Sequence, residues 1–181
     1  MAFSTTYEER NVLMPEGEYE CIIHSAHVTA SRTDSGRAIV YFSVQLTVRN
    51  DVPQTYQNKH IYHAIWQKRE ENQSDQDRAM GGFSFKQVMN LCKAAGIPSG
   101  SEYDTLDNLG RDLCGRIVRA NLIHDTYNGK TSEKIKWFTE TKYPQCRHQQ
   151  RSTAVAQAAS PAQPMQEFTT DISIGDEDLP F

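Results

Sequence analysis

No Lys or Arg follows Arg151, although residues 152–181 hold five Asp and Glu. No apolar run approaches the roughly 20 residues that a membrane-spanning helix needs, and the start lacks the basic-then-apolar order of a signal peptide. The expectation is a cytoplasmic protein with no membrane contact. The four cysteines, Cys21, Cys92, Cys114 and Cys146, are far apart, with no Cys-x-x-Cys, and read as reduced thiols. Cys146-Arg147-His148 offers too few ligands for a metal centre. The six histidines show no paired metal spacing, since His60 and His63 point to opposite faces of a strand. His24 and His124 read as packed. A Gly-rich phosphate loop and a Ser or Cys nucleophile motif are both missing. These absences predict no catalytic residue, no metal and no cofactor. Asp104, Asp107 and Asp112 could serve a metal nuclease, but Asp104 and Asp107 more readily cap a helix.

What is present divides in two. The net charge of -4 combines 19 Lys and Arg with 18 Asp and Glu in residues 1–151, and five acids alone in 152–181. A near-neutral body is followed by an acidic tail. The body, 1–144, carries strands by pattern. The first, about 18–29, is partly apolar on both faces and leads into a polar loop, 30–36. The second, about 37–49, alternates strictly, with Ala38, Val40, Phe42, Val44, Leu46 and Val48 toward the core. The third, about 58–68, buries Ile61 and Ile65. Residues 70–82 are strongly polar, end in Gly81-Gly82 and read as a loop or a frayed turn. A capping box at Ser84 and Gln87 opens a helix that Gly96 and Pro98 close. A short helix follows at about 105–113. The fourth strand, about 116–127, turns at Asn128-Gly129 into the fifth, about 132–142. There Ile135 and Trp137 are expected in the core, and Lys134, Lys136 and Phe138 on the other face.

Three strands, a helix and a two-strand hairpin form the order of an OB-fold. The predicted class is mainly β, a five-stranded OB-like barrel with a helix between strands 3 and 4, followed by a disordered C-terminal tail. An SH3-like barrel and an open antiparallel sheet with one helix are the alternatives. In an OB-fold the faces of strands 2 and 3 and the 1–2 and 4–5 loops hold oligonucleotides. Binding without sequence preference needs cations for phosphates and flat rings for bases. Tyr41, His60, Tyr62, Trp66, Tyr127 and Phe138 are the candidate platforms. Arg32, Arg37, Arg49, Lys59, Lys68, Arg69, Lys130, Lys134 and Lys136 are the candidate phosphate partners. Each aromatic also suits plain strand packing, and each cation plain solubility.

From 145 to 170 the chain is a Gln/Ala/Ser/Pro tether that cannot bury enough surface to fold. With roughly 30 residues from body to tip, it reaches about 30 Å. It ends, over 171–181, in an acidic tip. Asp176, Glu177, Asp178, Leu179, Pro180 and Phe181 read as a docking peptide, Phe181 entering an apolar pocket and the carboxylates meeting Lys or Arg. This tip resembles that of bacterial and phage single-stranded DNA-binding proteins, which typically ends in several Asp and Ile-Pro-Phe. Leu179 replaces the Ile and Glu177 one Asp. The body looks like a phage family formerly labelled only as a domain of unknown function. The resemblance implies protection of single-stranded DNA during replication or recombination, with the tip recruiting helicase, primase, polymerase or recombination partners. Homo-oligomerisation stays open. The same parts would suit a recombination mediator or strand-annealing protein, or a replisome adaptor whose body binds protein.

Overall fold

The computed structural model describes residues 13–32, 36 and 38–149, all within a unit spanning 1–151. Arg37, residues 150–170 of the tether and the whole tip, Asp176 to Phe181 included, lie outside the described residues. The strands are β1 (Gly17–Arg32), β2 (Ala38–Val48), β3 (His60–Trp66), β4 (Ile117–Tyr127) and β5 (Lys130–Thr139). Between β3 and β4 come α1 (Asp75–Ala79), α2 (Phe85–Ala94) and α3 (Leu106–Leu113). The strands form one antiparallel sheet in the order β3-β2-β1-β4-β5.

Alternation in β2 does what period two requires, burying Phe42, Val44, Leu46 and Val48 completely. Strand β1 is apolar on both faces because it is bulged. Its register with β2 shifts between Ile23 and Ser25, which leaves His24 as the extra residue. Tyr19, Cys21 and Ile23 face the core before the bulge, and Ala26 faces it afterwards. The strand then runs on to Arg32, so Arg32 ends a strand rather than sitting within the expected loop. A second bulge lies opposite Asn121 and Leu122 in β4, and it resets β5. Ile135 and Phe138 are both buried, whereas Trp137 is 40% exposed. The expected faces of Trp137 and Phe138 are therefore reversed, because one inserted residue inverts every side chain after it.

The barrel does not close. Strands β3 and β5 approach one another, with the His63 and Phe138 rings edge-on at 5.3 Å. No ladder joins them among the described residues. A side chain satisfies part of the β5 edge: Asn90 of α2 accepts from the Phe138 N–H at 2.9 Å and donates to its carbonyl at 3.1 Å. The core lies between the sheet and the helices, with Val88 and Leu91 of α2 and Leu109 and Leu113 of α3 buried against it. Gly110 lets α3 touch β1. A Cβ there would come within 2.0 Å of the Ala26 carbonyl oxygen.

Two local readings are corrected. Residues 70–82 hold a single 3-10 turn (Glu70–Asn72) and α1, whose capping box is formed by Ser74 and Asp77. Ser84 makes no side-chain cap to α2; the Asp77 carboxylate accepts from Phe85 N–H instead, at 2.8 Å. The ordered body also continues past Pro144. The Tyr143 and Gln145 carbonyls bind Arg49, and the Asn50 N–H donates to His148 Nδ1 at 3.1 Å. Residues 145–149 are thus anchored by polar contacts, which no apolar periodicity reveals.

Candidate nucleic-acid interface

The outward face of β2 and β3 is built in cross-strand rows. Tyr41 lies opposite Trp66, Ser43 opposite Ala64, Gln45 opposite Tyr62, and Thr47 opposite His60. On the other side of β2, β1 adds Thr29 beside Tyr41 and His27 beside Ser43. The Tyr41 and Trp66 rings are 4.9 Å apart and tilted by 48°, an offset pair that stiffens both. Trp66 is 53% exposed and Tyr62 65% exposed. They share a face four residues apart, so they stand about 13 Å apart along the strand. Two exposed rings on one rigid ladder can each accept a stacked base, while the polar residues between them keep that surface wet.

His60 is exposed, hydrogen-bonded to Thr47 Oγ1 at 3.0 Å, and its ring lies 5.8 Å from that of His24. His24 is itself exposed, contrary to the expectation that it packs, because it is the bulged residue of β1. His124 is half-buried, with Nε2 2.7 Å from the Met14 carbonyl. His63 faces inward on β3; burial first, then the nearby Lys134 charge, pushes its pKa down to about 4, so it is neutral.

The cations sort into three groups. Arg49 is a correction: its side chain is fully buried. It donates to Asp51 at 2.9 and 2.6 Å and to the Tyr143 and Gln145 carbonyls at 2.8 and 2.7 Å. It points outward as strand alternation requires, but the chain after β5 crosses over it, so no phosphate can reach it. Several others are held by carboxylates. Lys59 binds Glu133 at 3.1 Å, Lys68 binds Asp77 at 2.7 Å, and Lys134 binds Asp125 at 2.9 Å. Arg69 lies 3.9 Å from Glu71 and is mostly exposed, a weak pairing. Arg32, Lys130 and Lys136 have no carboxylate partner among the described residues. Lys136 sits 4.6 Å over the Trp137 ring, and Tyr127 at the hairpin tip is 79% exposed.

The structure thus brings Tyr41, His60, Tyr62 and Trp66 together on one surface. It sets Tyr127 and Lys130 at the β4–β5 turn, where Asn128 and Gly129 both have positive φ. Phe138 is removed from the site by burial. Trp137 is the ring that sequence pattern missed. Its one signal is the pair Trp137-Phe138, two adjacent aromatics that a pleated strand must send to opposite faces.

Among the described residues no group of three His, Cys, Asp or Glu could hold a metal ion, and no helix is long and apolar enough to cross a membrane. All four cysteines are free.

A family model described as a protein of unknown function, DUF669, matches residues 3–161. The chain belongs to this family. The matched residues take in the whole sheet, the three helices and the anchored segment, and stop short of the acidic tip. No curated protein matches the chain.

Proposed function

We propose that this chain binds single-stranded DNA largely without sequence preference, protecting it during phage replication or recombination. Its body is read as an OB-like barrel left open between β3 and β5. The pairing β3-β2-β1-β4-β5 and the helices inserted before β4 suit that fold, which is itself only partly closed. The observation that carries the reading is the ladder on β2 and β3 of exposed Trp66 and Tyr62 with half-buried Tyr41. Bases would stack there, with Arg32, Lys130 and Lys136 meeting phosphates. The acidic tip, Asp176 to Phe181, would recruit replication and recombination proteins. The protein acts as a stoichiometric binder with no turnover.

Titration of the full chain with oligo-dT, and of a chain lacking 171–181, tests this. Both should prefer single strands over duplex, and only the full chain should capture partner proteins. With about three phosphates contacted, affinity should fall with a log–log salt slope near -2. Equal affinity for duplex and single strands would sink the proposal. The pairing of Lys59, Lys68 and Lys134 with carboxylates favours one rival, an adaptor whose body binds protein. For that rival, oligo-dT would leave Trp66 fluorescence unchanged.

A further inference from the structure

We propose that the groove between α1, α2 and α3 is a docking site for a basic amphipathic helix of a partner protein. It lies apart from the aromatic ladder. Its volume is about 1140 Å³, beyond the roughly 300–1,000 Å³ of a pocket shaped for one small molecule. A row of several side chains fits it better. Its wall is the least covered part of the core. Val28, Met80, Met89, Ile97, Tyr103 and Leu106 all line it and are only partly buried; of the other partly buried apolar residues on the core, Val40 alone lies elsewhere. Two of the six are Met, whose unbranched thioethers adapt to a partner's shape.

The rim decides the occupant. Asp104, Asp107 and Glu140 stand on it against one cation, Lys93. Asp107 is fixed by accepting the Val28 N–H at 2.8 Å. Asp104 and Glu140 pair with no cation among the described residues. An apolar floor beneath an acidic rim complements a helix with Leu or Phe at i, i+3, i+4 and i+7 flanked by Lys or Arg.

The methionines are built-in reporters: Met80 and Met89 line the groove and Met14 is in the core, while Met1 and Met165 lie outside the described residues. The full chain, labelled with ¹³C at the Met methyls, is titrated with an 18-residue peptide carrying Leu at helical spacing and Lys between. Saturable shifts at Met80 and Met89, with Met14 and Met165 unmoved, are expected. Asp104→Lys with Glu140→Lys, two exposed substitutions that spare the core, should weaken the peptide at least about tenfold. A peptide with Glu in place of Lys should not bind. Shifts confined to Met165, equal affinity for the charge-reversed chain, or equal binding of the Glu peptide would each overturn the proposal. So would a self-associating chain, seen by sedimentation, whose Met80 and Met89 signals change with protein concentration alone.

Discussion

Replacing Asp51 with Asn removes the carboxylate that holds the fully buried Arg49 guanidinium. Asp51 is held at about 2, against an ordinary 3.8, chiefly by its hydrogen bond from Arg49. Its side chain is only 10% exposed, so solvent screens this little. A shift of that size corresponds to about 2 kcal/mol of stability. The substitution also strands a buried cation, which raises the expected loss to about 3–5 kcal/mol, or a Tm drop on the order of 10–15 °C. The sign follows from the direction of the shift. A depressed folded pKa stabilises above the unfolded value near 4 and loses that effect as pH falls toward 2. The gap between urea melts of Asp51→Asn and the parent should therefore be widest at neutral pH and narrow by about 2 kcal/mol as pH falls to about 2. Asp51 also accepts the Arg147 N–H at 2.6 Å, so hydrogen exchange over residues 141–149 should quicken in the variant. A gap that stays constant from pH 7 to 2, or a variant as stable as the parent, would refute the reasoning.

Three further outcomes are expected. Trp66→Ala should weaken oligo-dT binding roughly 5- to 150-fold, the loss of about one stacked base, in fluorescence anisotropy; an unchanged affinity would remove Trp66 from the site. Gly110→Ala forces a Cβ to within 2.0 Å of the Ala26 carbonyl oxygen, so the urea midpoint should drop by the equivalent of about 1–3 kcal/mol, while oligo-dT affinity of the folded fraction holds. Cys114 and Cys146 are exposed, whereas burial pushes the Cys21 and Cys92 thiols up to about 12 and 11. A thiol reagent should thus titrate two of the four cysteines before unfolding and the rest only afterwards.

Period-two alternation was enough to place β2 and β3, because a half-buried strand must show its core face in its own residues. The Asn128-Gly129 turn and the stop at Gly96 were legible for the same local reason. Tyr41, Tyr62 and Trp66 could be set on one face from alternation alone. Bulges could not be read this way, because whether one residue is left unpaired depends on the partner strand. Hence Phe138 and Trp137 were exchanged, and His24 was expected inside.

The sequence by itself determined the five strands, the two longer helices, the charge division at Arg151 and the Tyr41, Tyr62 and Trp66 rings of the candidate site. Tertiary structure decided what covers what. Arg49 has the pattern of a surface cation, yet a segment about ninety-five residues later encloses it. Ser84 has the pattern of a cap, yet Asp77 takes that role from outside the helix. At the open seam the Asn90 side chain reaches a strand edge 48 residues away. Local pattern records which face of an element is apolar; it carries no record of a distant polar group that arrives only when the chain folds.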